Sequence, residues 1–537
     1  MQERITGGER RSQFARSTAM ICGLTIRNLV AIITATGLLG CATVDFDYPK
    51  QESTALENTD TVDTYLGKQL HALASAHPDG ESGFVPLADG IDALAVRLLL
   101  AQRAERTIDA QYYLLKDGIT GRAFVLSLLR AADRGVRVRL LLDDMFTSGY
   151  DAGMAGLDSH PNIEIRIFNP FASRSARMWD GVTGFSRINR RMHNKSFTVD
   201  SQITLIGGRN IADEYFGARE DAKFGDLDVL GIGPVVQDVS DTFDDYWNHE
   251  RAAPIEAFAD MPDDPAAELE RQRIELEQSD KEIASSKYAA AVKDQILEYV
   301  ETDSDVFVWA PYSVAVDSPD KNIKAKAETA ENIQTLLNQS LLTAENEMLI
   351  ISPYFVPKKS GIEALIAVQE RGIQVTIVTN SLAANNQASV HGGYAPSRKP
   401  LLKAGVRILE VRADAGVQGS ELVSADNAKA TLHTKAFVVD HREAFIGSFN
   451  FDPRSANINT ELGVIIRSPE IAVAVANLVE SNQKAEAWEV FLNEKGQLRW
   501  RGFDNGQEII LKKEPQTTWG QRFMAGFYRI LPIRGQL

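Results

Sequence analysis

Residues 431–466 read TLHTKAFVVDHREAFIGSFNFDPRSANINTELGVII. They space His433, Lys435 and Asp440 as H-x-K-x4-D and continue through Gly447, Ser448, Asn450 and Glu461. Residues 192–200, MHNKSFTVD, carry the same pattern in His193, Lys195 and Asp200, followed by Gly207, Gly208, Arg209 and Asn210. In both copies a glycine falls 14 residues after the histidine and an asparagine 17. A constellation repeated at an offset of 240 residues points to an internal duplication.

After each lysine, apolar residues alternate as in a half-buried strand. Side chains at i and i+2 of a strand share a face, so each histidine is expected to project beside its lysine. An imidazole next to an ammonium, delivered twice, makes a cationic site for an anion. Imidazole is also a nucleophile or general acid near neutral pH. Lysine, serine and asparagine donate hydrogen bonds to phosphoryl oxygens. Phosphodiester chemistry needs this set: a nucleophile, a proton donor for the leaving alkoxide, and donors around the non-bridging oxygens.

The duplication extends beyond the motifs. RGIQVTIVTN at 371–380 echoes RGVRVRLLLD at 134–143, and Glu461-Leu-Gly-Val echoes Asp226-Leu-Asp-Val. Strand patterns at 107–115, 136–142, 163–168, 193–199, 203–206 and 224–232 alternate with helical patterns at 120–133 and 234–249. The expected fold is α/β. It has two pseudo-symmetric lobes, each a mixed sheet flanked by helices, with both His-Lys strands meeting at one central cleft.

GSFNFDPRSANINTE, HNKSFTVD with GGRNIADEYFG, SPYFVP and NSLAANNQASVHGGY resemble the phospholipase D superfamily, in its bacterial cardiolipin synthase branch and its cardiolipin synthase C group. The likeness spans residues 82–537. It implies a transphosphatidylase that moves a phosphatidyl group from phosphatidylethanolamine or phosphatidylglycerol to phosphatidylglycerol, through a covalent phosphohistidine. Hydrolysis to phosphatidic acid is the alternative, and a phosphodiester nuclease a more distant one. The resemblance assigns His193 as nucleophile and His433 as acid/base, although the two copies are equivalent by sequence. It implies that Lys195, Lys435, Asn210, Asn450 and Ser448 hold phosphate, with Gly208 replacing the serine in the first copy. It implies carboxylates that orient the histidines: Glu461, 28 residues after His433, and in the first half Asp226, with Asp228 as fallback. Asp200 and Asp440 belong to the catalytic signature, yet both end their strands and read as turn positions. His391, Tyr394 and Tyr354 are further substrate-binding candidates. The partners implied are phospholipids and a membrane surface.

The remaining sequence bounds these expectations. A net charge of −16 over 537 residues argues against a sequence-independent grip on nucleic acid. With eight histidines and no H-E-x-x-H, a metal-free mechanism without cofactor is expected. Cys22 and Cys41 are the only cysteines. Residues 1–40 have the basic-then-apolar shape of a signal peptide, and Leu38-Leu39-Gly40-Cys41 resembles a lipobox. Cleavage would leave a lipidated Cys41 on a bacterial envelope protein that faces the periplasm; an uncleaved signal anchor is the alternative. Residues 41–81 read as a flexible tether, 82–257 as the first lobe, 258–288 as a charged linker or insertion, and 289–487 as the second lobe. Residues 488–537 read as a tail that either lies on a membrane surface or docks on the protein's own core.

Overall fold

The computed structural model describes residues 44–174, 177, 185–219, 222–286, 288–294, 306–323, 332–415, 429–481, 486–504 and 506–531. The signal-peptide and lipobox readings, Cys41 included, lie outside them. The first lobe contains strands β1 (Glu81–Leu87), β2 (Thr107–Tyr112), β3 (Arg137–Asp143), β4 (Ile163–Phe168), β5 (Ser196–Val199), β6 (Ile203–Gly207), β7 (Ala222–Gly225), β8 (Asp228–Ile232) and β9 (Ala252–Pro254). The second contains β10 (Val308–Val316), β11 (Glu347–Ile351), β12 (Gln374–Asn380), β13 (Arg407–Val411), β14 (Lys429–Leu432), β15 (Ala436–Val439), β16 (Glu443–Gly447), β17 (Leu462–Ile466), β18 (Ala487–Leu492), β19 (Leu498–Asp504) and β20 (Gln507–Leu511).

The duplication is visible as topology. The first sheet runs β9-β4-β3-β2-β5-β6-β8-β1. The second repeats it as β18-β13-β12-β11-β15-β16-β17-β10. Antiparallel pairing of β1 with β10 joins the two into one sheet. Ile206 and Val229 of the first lobe lie in one apolar cluster with Ile446 and Val464 of the second, so the lobes share a core.

The motif segments differ from the half-buried strands expected. β5 and β15 begin only after Lys195 and Lys435, and both are fully buried. β5 is central in its sheet and covered by helices on both sides, Val235–Asn248 and Gly90–Arg103. β15 is accordingly apolar throughout, as Ala-Phe-Val-Val, whereas β5 keeps Ser196 and Thr198, the Thr198 hydroxyl lying 2.8 Å from that of Thr204.

Asp200 and Asp440 sit at the opposite end of these strands from the histidines. Asp200 and Ser201 (φ 50° and 49°), like Asp440 and His441 (φ 50° and 49°), form two-residue hairpin turns of type I′. The Asp200 carboxylate accepts the backbone N–H groups of Glu105, Arg106 and Thr107 at 3.0, 2.7 and 2.9 Å. Asp440 does the same for Glu345, Asn346 and Glu347. Both therefore tie a hairpin to the start of the neighbouring strand, which corrects their place in the catalytic set.

Three segments are more closely tied to the lobes than a tether, linker and tail would be. Residues 50–58 are a strap rather than a flexible tether: Lys50 Nζ donates to Ala252 O at 2.9 Å, Arg139 to Ser53 O at 2.9 Å, and Gln202 to Asn58 O at 2.6 Å. Helix Tyr65–Ala74 follows, capped by Thr64. The charged segment forms helix Pro265–Ile283, which packs on helices Ile119–Asp133 and Asp151–Asp158 of the first lobe. The first part of the supposed tail is sheet: β18 repeats β9, and the β19–β20 hairpin extends the edge.

Asp200→Ala removes one buried acceptor from three backbone donors. It is expected to lower stability by on the order of 3 kcal/mol, measured by denaturant unfolding. The surviving folded protein should keep its activity per molecule, as a structural role requires.

Candidate active site

The segments that carry the histidines are held by the opposite lobe. His193 N–H donates to Thr460 O at 2.9 Å, and Thr460 N–H donates to Arg191 O at 3.0 Å, around a parallel bridge between Met192 and Thr460. His433 N–H donates to Gly225 O at 2.7 Å, where β14 pairs with β7 in a parallel ladder. The residue after Thr460 is Glu461 and the residue after Gly225 is Asp226. Backbone pairing across the lobes thus carries each carboxylate to the other lobe's histidine.

His193 Nδ1 lies 2.7 Å from Glu461 Oε2, and His433 Nδ1 lies 2.5 Å from Asp226 Oδ2. The pairs are crossed between the lobes: Glu461, which follows His433 by 28 residues, serves His193, and Asp226 serves His433. Asp228, the fallback, is paired instead with Arg97 at 2.8 Å. A neutral imidazole that donates from Nδ1 keeps an acceptor lone pair on Nε2, so both reactive nitrogens are alike in tautomer.

Burial pulls both imidazoles down to about 4, with Glu461 opposing this at His193 and Lys435 reinforcing it at His433. Lys435 Nζ lies 2.8 Å from His433 Nδ1 and 3.2 Å from Nε2. Burial also lowers Lys195 to about 7 and Lys435 to about 8. The carboxylates stay ionised. Burial opposes their charge, but His433 and Lys435 hold Asp226 down to about 2, and His193 and Lys195 hold Glu461 below the usual range. Lys435 acts on His193 and Lys195 on His433, so the two halves form one electrostatic unit.

Ser448 does not reach into this site as a free donor. Its hydroxyl donates to Glu461 Oε2 at 2.5 Å, Ser455 donates to Oε1 at 2.7 Å, and the Glu461 N–H is taken by Asp317 at 3.0 Å. Ser448 is thus a positioning residue for Glu461. In the first lobe, a Cβ on Gly208 would come within 2.2 Å of Asp226 Oδ1, so glycine leaves room for that carboxylate. Asn210 Nδ2 donates to the Tyr215 hydroxyl at 3.0 Å. The amide oxygens of Asn210 and Asn450 are buried without a partner among the described residues.

Sequence reasoning missed the aromatic walls. Tyr113 stands edge-on to His193 at 4.9 Å. Tyr215 stands edge-on to His433 at 4.9 Å, its hydroxyl 3.5 Å from Nε2, while Phe224 stacks on the same ring. Nothing in an apolar strand or in NIADEYFG distinguishes these rings from core aromatics. Tyr354 bears electrostatically on Tyr113 and Tyr215, and its hydroxyl donates to Asn386 at 2.7 Å. His391 and Tyr394 are not in the cleft. His391 is 1% exposed and lies 3.6 Å from Glu514, while Tyr394 donates to Glu410 at 2.9 Å. Both belong to a buried polar network, which corrects their placement as substrate ligands.

The model of the family described as "Cardiolipin synthase, PLD-like domain" matches residues 99–247 and 337–482, one match per lobe. The chain belongs to this family. It is 42% identical to cardiolipin synthase C of Escherichia coli (strain K12), over 87% of this chain and 98% of that protein. It is 23% identical to cardiolipin synthase A of Pseudomonas syringae, over 74% and 67%. Among solved structures, the phosphatidylserine synthase of Haemophilus influenzae Rd KW20 shares the fold, with a TM-score of 0.54 and 14% identity over 84% of this chain and 95% of that one.

Crossing is testable without turnover. In 15N-histidine spectra, Glu461→Gln should move the ring signals of His193, and Asp226→Asn those of His433. Pairing within each lobe would give the opposite pattern. Both rings should stay neutral down to about pH 4.

Proposed function

We propose that the protein is a metal-independent phosphatidyltransferase that makes cardiolipin. It moves a phosphatidyl group from phosphatidylethanolamine or phosphatidylglycerol to a hydroxyl of phosphatidylglycerol. The observation that carries this reading is the crossed pair: two imidazoles with Nδ1 engaged by carboxylates and Nε2 left as acceptor, beside two buried ammoniums. The family membership supports the lipid substrate.

The His193 Nε2 lone pair attacks phosphorus. The P–O bond to the leaving alcohol breaks, and His433 Nε2–H supplies the proton to that oxygen. The acceptor hydroxyl then gives its proton to His433, its oxygen attacks phosphorus, and the P–N bond breaks. Two displacements replace one difficult one. With neutral imidazoles, two ammoniums balance two carboxylates. A bound phosphodiester adds one negative charge, so uptake of one proton by an imidazole restores balance and arms the acid. Lys195, Lys435 and the amides of Asn210 and Asn450 are the donors for the phosphoryl oxygens, stronger where charge assists.

The choice of His193 as nucleophile rests on the family resemblance. The geometry around the rings weighs the other way, since Lys435 bears directly on His433 and favours its neutral form. Trapping the phosphoenzyme and mapping the modified histidine by mass spectrometry decides between them.

The lipobox reading adds a lipid anchor at Cys41 and a periplasm-facing location. No helix among the described residues is long and apolar enough to cross a membrane. Labelling with a radioactive fatty acid, lost in Cys41→Ala, tests the anchor.

Purified protein incubated with phosphatidylglycerol, with and without phosphatidylethanolamine, should form cardiolipin, and His193→Ala and His433→Ala should each abolish it. Phosphatidic acid without cardiolipin would make the enzyme a hydrolase. No lipid turnover would overturn the proposal. The pH dependence of kcat/KM should show an alkaline decline between about pH 7 and 8, as Lys195 and Lys435 lose the charge that meets the phosphate. A decline only near the ordinary lysine value would reject that role.

A further inference from the structure

The C-terminal helix Trp519–Ile530 turns its apolar side away from the protein. Its buried residue is Ala525, seated on helix Ala388–Tyr394, where a Cβ on Gly392 would come within 2.9 Å of Ala525 O and 3.0 Å of Tyr528 Cβ. On the other side Trp519, Phe523, Phe527 and Ile530 are 73, 56, 44 and 78% exposed. At about 100° per residue these four fall within an arc of about 80°. Trp519 stacks on Phe523, which makes the stripe continuous at its start. The helix contains Arg522 and Arg529 and no acidic residue, and exposed Lys512 and Lys513 precede it. Glu514, the acid nearby, is paired with Arg398 at 2.7 Å.

We propose that this stripe docks on a phospholipid bilayer with anionic headgroups, lying in the interfacial layer. Three observations select that occupant. An amphipathic helix normally buries its apolar side against its own core, and this one does the reverse. Aromatic rings beside arginines and lysines suit the headgroup boundary, where rings sit among acyl chains and cations meet phosphate. A stripe about 18 Å long and about 10 Å wide covers about 200 Å², far below the roughly 800 Å² per partner of a stable protein interface, which disfavours a second copy. The chain as a whole carries −16, so an anionic membrane repels it unless a local basic and apolar element compensates.

The docking helix is firmly connected to the site. Arg398 bridges Glu514 and Glu410, and Tyr394 and Trp500 complete that buried network. Helix Ala388–Tyr394 follows Ala384, Asn385 and Asn386. Their polar groups hold Thr431 and Lys429 of β14 and the Tyr354 hydroxyl. β14 runs directly into His433, so a bilayer under the helix is tied through few contacts to the catalytic cleft. This inference rests on the proposal that the substrate is a membrane phospholipid.

The test uses the full chain and vesicles of phosphatidylglycerol and phosphatidylcholine, some with brominated acyl chains. The fluorescence of Trp519, taken as wild type minus Trp519→Phe, should shift to the blue and be quenched by bromolipid. Phe523→Ser with Phe527→Ser should lower turnover on vesicles at least about tenfold, since two aromatic anchors are lost. Turnover of monomerically dispersed short-chain phosphatidylglycerol should change by less than about twofold, which also shows that the variant folds. An unquenched Trp519, or unchanged vesicle turnover in the double variant, overturns the proposal. So does a dimer in sedimentation equilibrium that the double variant dissolves, because it would assign the stripe to self-association. Quenching needs no chemistry: quenching without formation of cardiolipin would remove the functional reading and leave the docking intact.

Discussion

Two hydrogen bonds, His193 to Glu461 and His433 to Asp226, hold the logic of the molecule together. Each joins a side chain of one lobe to a side chain of the other, and all four residues are buried. A lobe alone would leave an imidazole without its orienting acceptor and a carboxylate without its cationic partners. Buried charge without a partner is strongly unfavourable. The β1–β10 seam, the shared apolar cluster and the two parallel contacts at Thr460 and Gly225 therefore serve one geometry. The site exists only where the halves meet.

The duplication is close but not equal. The histidine segment of the second lobe is held by a ladder, β14 on β7, and that of the first by a single bridge. Glu461 is longer by one methylene and is steadied by Ser448 and Ser455, whereas Asp226 fits against Gly208 and accepts the N–H of its neighbour Leu227 at 2.9 Å. His433 has both Tyr215 and Phe224 against its ring, and His193 has Tyr113. Two histidines with the same tautomer but different walls suit a reaction in which one binds phosphorus and the other moves protons.

The periphery was harder to read than the centre. Residues 50–58 have no periodicity, because their order comes from carbonyls and amides met by Arg139, Gln202 and Lys50, not from a repeating apolar face. The charged helix Pro265–Ile283 packs on the first lobe, with Arg273 and Asp280 making ion pairs to Asp133 and Arg130. From composition it resembled a solvated linker. The strands after residue 487 were hidden because β19 and β20 form an exposed edge and carry polar residues.

The sequence by itself determined the duplication, the α/β class, and the two His-Lys pairs, because repeated spacing and apolar runs survive in one dimension. It also marked Asp226 and Glu461 as the carboxylates that matter. The tertiary structure alone decided which histidine each serves. Separation along the chain ranks Glu461 near His433, while a parallel pairing between lobes places it on His193. The same holds for Asp200 and Asp440, which share the signature with the histidines but lie at the far end of a strand, and for His391, which a helix carries into a buried ion network. Sequence spacing reports local geometry, and a site assembled across a pseudo-two-fold interface is set by contacts that no local spacing encodes.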